Sequence, residues 1–159
     1  MKLYHGSYTE VQKPVLLPSN RALDFGKAFY LTSDYEQAKK WAKLTAERKR
    51  TASAVVNEFD FDDTKLSDLN VLHFESADHD WLKFVSECRT NRNYSDEYDL
   101  ISGPVANDQT FEVIQLYFIG AYDEEEALRR LLPFKLKDQY AFKTEKSLEL
   151  LTFRRAVFV

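Results

Sequence analysis

The 159-residue sequence has one cysteine, four glycines and four prolines. A single cysteine, Cys88, excludes a disulfide within the chain and is typical of a reducing compartment. Its neighbours favour a helix, in which a buried, unreactive thiol is more common than a nucleophile. No apolar run approaches the roughly 18 residues that a membrane-spanning helix needs. We therefore expect a soluble cytoplasmic protein that makes no use of a membrane.

The sequence also lacks an excess of positive charge. Its formal net charge is -4, so no uniform field draws it towards nucleic acid or anionic lipid. Six cations cluster between residues 39 and 50, and a solvated helix face explains them better than phosphate contact. They are Lys39, Lys40, Lys43, Arg48, Lys49 and Arg50. With 44% hydrophobic residues, the chain is long enough for one domain, spanning residues 1–159.

Several common site motifs are missing. Neither G-x-G-x-x-G nor G-x-x-x-x-G-K-[ST] occurs, so a Rossmann dinucleotide site and a P-loop are not supported. G-x-S-x-G is also absent, which removes the usual serine nucleophile. His5, His73 and His79 have no cysteine or carboxylate partner at ligand spacing, and we expect no metal site.

The hydrophobic periodicity predicts strands mixed with helices, without the regular rhythm of a doubly wound fold, and hence an α+β protein. Strands are predicted at residues 3–6, 29–31, 54–62, 69–75, 98–106 and 156–159, and helices at 34–50, 78–89 and 111–132. Ser33 and Glu36 have the spacing of a capping box for the first helix. The last predicted helix is interrupted at Gly120, and residues 145–153 fit either a helix or a strand.

Two glycines and two aromatics lie in an arrangement that has more than one explanation. Gly6 and Gly26 stand beside predicted strands, where a missing Cβ permits either a tight turn or close approach of a ligand. Tyr30 ends the FGKAFY segment and Trp41 follows on the second turn of the next helix. In most proteins both rings would be core residues.

Three ordered motifs resemble the ADP-ribosyltransferases of the diphtheria-toxin and poly(ADP-ribose) polymerase type. They are LYHGS followed by DFGKAFYLTS, then YDLISGPVAND, then DQYAFKT, and they span residues 3–144. The pattern is most similar to that of an uncharacterised bacterial domain of unknown function assigned to the same superfamily. The resemblance implies an ADP-ribosyltransferase-like split antiparallel β core with peripheral helices.

Carried over residue by residue, the resemblance implies an NAD site. His5 would bind a ribose hydroxyl, and the backbone at Gly6 would meet the nicotinamide amide. Tyr30 and Trp41 would stack on the two faces of the nicotinamide ring, an arrangement worth about 0.5–1.5 kcal/mol beyond burial. The rest of the NAD-binding set is Ser7, Phe25 and Gly26.

Two positions depart from the family pattern. Ala38 stands where the enzymes have a serine that binds the amide, and Gln139 stands at the position of the catalytic glutamate. A carboxylate would stabilise the oxocarbenium-like ribose and deprotonate the nucleophile, whereas an amide supplies neither charge nor base. Gln139 is therefore either a catalytic residue or a strand-edge amide. Another acid, Asp108 or Asp99, can replace the glutamate, or the acceptor brings its own nucleophile; Asp108 also suits a helix cap.

The expected function is mono-ADP-ribosyl transfer from NAD to an unidentified protein, nucleic acid or small molecule, with His5, Tyr30, Gln139 and Asp108 as catalytic candidates. The resemblance further implies a bacterial toxin with a small antitoxin protein as its partner. Two alternatives stay open. One is a catalytically degenerate NAD-binding or protein-interaction module, and the other is an NAD glycohydrolase.

Overall fold

The computed structural model describes residues 1–18 and 21–159, apart from the side chain of Asp108. The strands are β1 (Lys2–Ser7), β2 (Phe29–Leu31), β3 (Val55–Phe61), β4 (Val71–His73), β5 (Leu100–Pro104), β6 (Asp138–Phe142) and β7 (Leu151–Phe158). The helices are α1 (Tyr35–Lys49), α2 (His79–Thr90), α3 (Asp108–Phe118), α4 (Glu124–Leu131) and α5 (Glu145–Leu148), with a 3-10 helix at Asp63–Asp68. The prediction of an α+β protein is confirmed.

The strands form two sheets, ordered β1-β3-β7 and β2-β6-β5-β4. A bridge between Tyr4 and Thr32 links them, with hydrogen bonds of 2.8 and 3.0 Å. β1 and β2 are antiparallel at this bridge. Neighbouring strands are antiparallel except β4 and β5, which are parallel. The parallel pairing of β4, which follows the 3-10 helix, departs from an antiparallel core, and the ADP-ribosyltransferase-like form of that core stays a prediction.

The apolar side chains divide into three clusters that define four layers. The first cluster joins α1 to the outer face of the β1-β3-β7 sheet through Ala38, Ala42, Ala46 and Val56. The second fills the space between the sheets and includes Leu3, Phe29, Phe59 and Phe142. The third joins the other face of the second sheet to α2, α3 and α4, and includes Ile101, Ala141, Trp81, Ile114 and Leu131. The second sheet is therefore covered on both faces.

The start of α1 differs from the predicted capping box. Asp34 is the N-cap, and its side chain accepts a hydrogen bond from Gln37 N. Ser33 instead donates its hydroxyl to Asp138, 2.5 Å away, and Asp138 also accepts from Thr32 Oγ1 at 2.9 Å. Because Asp138 already satisfies the serine, the aspartate that follows caps the helix.

Three other predicted boundaries change. The helix predicted at 111–132 is two helices, α3 and α4, because the chain turns at Gly120 and Asp123 then caps α4. The undecided stretch 145–153 contains the short helix α5 and the start of β7. The final strand is consequently longer than predicted.

Cys88 is buried on α2, and burial raises the pKa of its thiol to about 12. The predicted burial of Cys88 on a helix is confirmed, and its lack of reactivity stays a prediction. Within residues 1–18 and 21–159, no helix has the length and apolar character needed to cross a bilayer.

Candidate functional site

The candidate site is the space beside the Tyr4–Thr32 bridge, where β1 of one sheet meets β2 of the other. His5 and Gly6 follow Tyr4 on one side, and Tyr30 precedes Thr32 on the other. The fold thus brings together residues that lie about 25 positions apart, as the hydrogen bond between His5 and Tyr30 records. We call this space the β1–β2 crevice.

The His5 ring is fixed in one tautomer by the opposite wall of the crevice. Its Nδ1 atom lies 2.8 Å from the carbonyl oxygen of Tyr30, which can only accept, so Nδ1 carries the proton. The ring also stacks on Phe29, with centroids 4.2 Å apart and planes 26° from parallel. Burial lowers the pKa of His5, and the Tyr30 contact only partly offsets this. The imidazole is therefore neutral at pH 7, with Nε2 as a hydrogen-bond acceptor.

Tyr30 is held by its hydroxyl as well as by its backbone. The hydroxyl donates to the Gly26 carbonyl at 2.6 Å and accepts from Phe25 N at 3.1 Å. Burial, followed by the charge of Asp24, raises its pKa well above the ordinary value. With both its polar roles used, Tyr30 presents only its half-buried ring to a ligand.

Two hydrogen bonds hold the turn that precedes β2 in place. Gly26 has a φ of 77°, in the left-handed region that favours glycine, and its N–H donates to Leu23 O at 3.2 Å. Lys143 donates to the Phe25 carbonyl at 2.6 Å and pairs with Asp96 at 2.9 Å. Of the two explanations of Gly26, a tight turn is the one that its conformation requires.

At position 6, glycine is required by the close approach of α1 and not by a left-handed backbone. Gly6 lies inside β1, and a Cβ there would be 2.2 Å from Ala38 O and 2.6 Å from Ala42 N. The missing side chain therefore lets the backbone of α1 approach the strand. The neighbouring Ser7 is buried, and its hydroxyl accepts from Thr9 N at 3.4 Å.

Trp41, on α1, lies over Gly6 of β1. Its Cβ atom would be 2.9 Å from a Cβ at Gly6, and the residue is half-buried. Ala38, one turn earlier, is fully buried against β1. Ala38, where the sequence resemblance implies a serine, is thus a helix-packing contact in this chain.

Gln139 lies in a buried polar cluster rather than on an open surface. Its residue is 3% exposed, and its Nε2 atom donates to Asp24 Oδ2 at 2.8 Å and to Pro104 O at 3.3 Å. Asp24, 4% exposed, also accepts from Ala106 N at 2.7 Å and from Arg89 Nε at 2.6 Å. A second nitrogen of Arg89 contacts the same carboxylate. We call Asp24, Arg89 and Gln139 the Asp24 cluster.

The Asp24 cluster gives Gln139 a structural role in the described conformation. A buried carboxylate needs donors on both oxygens, and the glutamine amide supplies one of them. Sequence reasoning missed Asp24 and Arg89. The signal for Asp24 was its place at the start of the DFGK motif, whereas nothing in the α2 sequence distinguished Arg89.

The chain matches one protein family over residues 1–153, and that family is described as a protein of unknown function, DUF3990. The chain belongs to the DUF3990 family. No curated protein and no solved structure matches it. The expected similarity to a domain of unknown function is confirmed, and the link from DUF3990 to the ADP-ribosyltransferases stays a prediction.

Asp99 and Asp108 were the acids predicted to replace the catalytic glutamate. In this DUF3990 protein, neither places a described carboxylate in the β1–β2 crevice. Asp99 accepts from Asn70 N at 2.8 Å and from Thr144 Oγ1 at 2.7 Å. Burial would raise its pKa, but these hydrogen bonds outweigh burial and lower it. The side chain of Asp108 lies outside the described part of the chain, and Asn107 is the cap of α3.

Two surface pockets of the DUF3990 fold lie away from the crevice. One, of about 520 Å³, lies between α3 and α4 and is lined by Val113, Tyr122 and Arg129 among others. The second, of about 320 Å³, lies beside α2 and includes Ser86 and Tyr117. Among the described residues, no three histidine, cysteine, aspartate or glutamate side chains are grouped to hold a metal ion.

Proposed function

We propose that this DUF3990 protein is a mono-ADP-ribosyltransferase that binds NAD in the β1–β2 crevice. The observation that carries the proposal is the hydrogen bond from His5 Nδ1 to the Tyr30 carbonyl. It orients a neutral imidazole so that Nε2 can accept from a ribose hydroxyl. The two sheets, which meet at the Tyr4–Thr32 bridge, also suit the split β core that the sequence resemblance implies.

The proposed binding mode uses the fixed groups of the crevice. Tyr30 offers a ring whose hydroxyl is already satisfied, and Trp41 offers a half-buried ring above Gly6. A nicotinamide between these rings would gain stacking and burial without displacing an existing hydrogen bond. Close approach to the backbone at Gly6 stays a prediction, since α1 already uses that space.

The proposed reaction breaks the bond between the nicotinamide nitrogen and the ribose. The bonding electrons leave with nicotinamide, and an acceptor atom attacks the resulting oxocarbenium-like carbon. The acceptor loses a proton, for which the described crevice residues provide no carboxylate base. We therefore expect the acceptor to be an intrinsically good nucleophile, and hydrolysis of NAD by water to be the slower reaction.

A second candidate function is NAD binding without turnover. It is favoured by the position of Gln139, whose amide is committed to Asp24 and Pro104. The roles of toxin and of antitoxin partner rest on the sequence resemblance and stay predictions.

Labelled NAD distinguishes these candidates. We expect the purified protein to bind NAD in calorimetry and to transfer label to a component of a bacterial lysate, with release of nicotinamide. His5→Ala should weaken NAD binding about tenfold, the effect of losing one hydrogen bond to a buried group. His73→Ala, which removes a half-exposed imidazole on β4, is the matched control. Binding without label transfer or nicotinamide release supports the second candidate, and equal NAD affinity of wild type and His5→Ala would rule out this site.

Replacing Gln139 by glutamate is expected to destabilise the protein rather than restore a catalytic acid. The new carboxylate would face Asp24 Oδ2, now 2.8 Å from the amide nitrogen, and lower the free energy of unfolding by about 1–3 kcal/mol at pH 7. Repulsion raises the pKa of the new carboxyl in the folded state above its unfolded value of about 4.3, so the loss should shrink as pH falls towards that range. Urea unfolding at pH 7 and pH 5 measures it.

Gln109→Glu, an exposed change on α3, is the control for this substitution and should alter stability by less than about 0.5 kcal/mol. A Gln139→Glu protein with unchanged stability and faster label transfer would show that this side chain faces the ribose and not Asp24.

A further inference from the structure

The pocket beside α2 lies between that helix and the last turn of α3. Its volume is about 320 Å³, at the lower end of the roughly 300–1,000 Å³ that is usual for small-molecule sites. From α2 come four side chains at i, i+3, i+4 and i+7 spacing, which share one face of a helix. They are Lys83, Ser86, Glu87 and Thr90, and α3 adds Tyr117 and Phe118. We call this space the α2–α3 pocket.

The wall of the α2–α3 pocket contains a buried hydroxyl that has no partner. Ser86 is 6% exposed, and among the residues that the structure describes its Oγ is the one buried side-chain nitrogen or oxygen without a hydrogen bond. Buried polar groups are nearly always paired, and an unpaired one costs stability. No hydrogen bond holds this hydroxyl in its rotamer, so rotation about one bond can turn it towards the pocket. Ser86 thus offers a ligand both a donor and an acceptor.

Two exposed side chains of opposite charge flank Ser86 without pairing to each other. Lys83 and Glu87 are four residues apart on α2, a spacing that permits an ion pair. In the part of the chain that the structure describes, neither has an ion-pair partner, and the Glu87 carboxylate accepts only from Asn91 Nδ2, at 2.6 Å. A simple anion or cation would balance one of these charges and leave the other. A ligand that carries both charges satisfies both.

The α3 side of the α2–α3 pocket is aromatic. Tyr117 is half-buried against the core that α2, α3 and α4 share, which fixes the ring in place. Phe118 follows it and is 56% exposed. A phenyl ring in solvent gains from contact with a second ring, through apolar burial and through the stacking preference of aromatic pairs. This side of the pocket therefore favours a ligand with an aromatic group.

We propose that the α2–α3 pocket binds a small zwitterion with an aromatic side chain, the chemistry of a free aromatic amino acid. The ligand's carboxylate pairs with Lys83 and accepts from the Ser86 hydroxyl, and its ammonium pairs with Glu87. Its ring stacks on Phe118. A pocket of this volume suits one such molecule. The site lies apart from the β1–β2 crevice and does not depend on the proposed function.

NMR titration with L-phenylalanine and three analogues tests the ligand chemistry. We expect N-acetyl-L-phenylalanine, which lacks the ammonium, and L-phenylalaninamide, which lacks the carboxylate, each to bind about three- to fivefold more weakly than L-phenylalanine. L-Alanine, which lacks the ring, should bind at least about tenfold more weakly. Lys83→Gln should abolish the preference over the amide, and Glu87→Gln the preference over the N-acetyl compound. Lys43→Gln, an exposed change on α1, is the control and should preserve both preferences.

Replacing Ser86 by alanine should have effects of opposite sign on stability and on binding. Without ligand, the melting temperature should rise by about 2–4 °C, because an unpaired buried hydroxyl is removed and alanine is the better helix former. L-Phenylalanine should nevertheless bind about fivefold more weakly, since its carboxylate loses a donor. Ser147 is the matched control, a buried helical serine whose hydroxyl donates to Thr144 O at 2.8 Å. Ser147→Ala should lower the melting temperature and leave binding unchanged.

Three results would overturn the proposal. The first is the absence of L-phenylalanine binding by the wild-type protein, and the second is equal affinity for L-phenylalanine, its amide and its N-acetyl form. The third is a lower melting temperature in Ser86→Ala, as in Ser147→Ala, which would show that the Ser86 hydroxyl has a partner within the fold. Circular dichroism of each variant confirms that it is folded.

Discussion

Replacing Arg89 by methionine should lower the free energy of unfolding by about 3–5 kcal/mol, the cost of leaving a buried charge without its partner. Asp24 is 4% exposed, and Arg89 provides two of its contacts. Methionine keeps much of the arginine volume. The loss of stability therefore comes mainly from removing the charge and less from creating a cavity. The contact with Phe111 adds a smaller part, about 0.5–1 kcal/mol.

Urea unfolding measures this effect, and two further variants identify its origin. Arg154→Met breaks an exposed pair with Asp60 and should cost less than about 1 kcal/mol. The double variant Asp24→Asn/Arg89→Met should recover part of the loss, because its buried group is neutral and still accepts hydrogen bonds. A loss in Arg89→Met no greater than that in Arg154→Met would show that Asp24 is not a buried, paired charge.

The crevice residues could be predicted from the sequence because their signals are local. HGS and FGKAFY are short motifs, and the helix that follows has an acidic cap and alanines on one face. The structure joins His5 to Tyr30 by a hydrogen bond and places Trp41 over Gly6, the residue after His5. Their proposed roles in binding NAD still depend on the resemblance.

The Asp24 cluster could not be predicted because its members are far apart in sequence. The bond between Gln139 and Asp24 spans 115 residues, and that between Arg89 and Asp24 spans 65. Nothing in the residues around Arg89 distinguishes it from the other cations of a helix surface. The two-residue period of a strand puts Gln139 and Ala141 on one face of β6, but a period alone does not show that α2, α3 and α4 cover that face.

The boundary between α3 and α4 could be predicted only in part from the sequence. Gly120 predicted an interruption, and Asp123 followed by three glutamates is a strong start signal for a new helix. The acidic run 123–126 thus favours a helix N-terminus, within a stretch that the apolar pattern predicts as one interrupted helix. Asp123 accepts from Glu126 N at 2.8 Å, as an N-cap does, so the local chemistry does specify this boundary.

Substituting Gly6 by alanine is expected to move α1 away from β1 and to lower the free energy of unfolding by about 3 kcal/mol or more, at or above the upper end for overpacking. The new Cβ would be 2.2 Å from Ala38 O and 2.6 Å from Ala42 N. Both atoms belong to the helix backbone, so no side-chain rotation relieves the overlap. The helix as a unit has to shift.

Gly120→Ala separates this steric effect from backbone strain. Gly120 has a φ of 80°, and a Cβ there would have no atom within 4 Å. Alanine at this position should therefore lower the free energy of unfolding by only about 1–2 kcal/mol, the cost of a left-handed backbone conformation. Equal losses for the two variants would mean that Gly6 does not hold α1 against β1.

A shift of α1 should also be visible at the proposed site. Trp41 moves with the helix whereas His5 stays in the strand, so Gly6→Ala should change Trp41 fluorescence and weaken NAD binding together. The other tryptophan, Trp81, is fully buried on α2. Its fluorescence is measured alone in the Trp41→Phe variant, so that the change at Trp41 can be told apart from it. Because Gly6 lies under the helix that carries Trp41, one methyl group should disturb the proposed stacking contact without touching it directly. An unchanged Trp41 spectrum in a destabilised protein would instead place the damage away from the site.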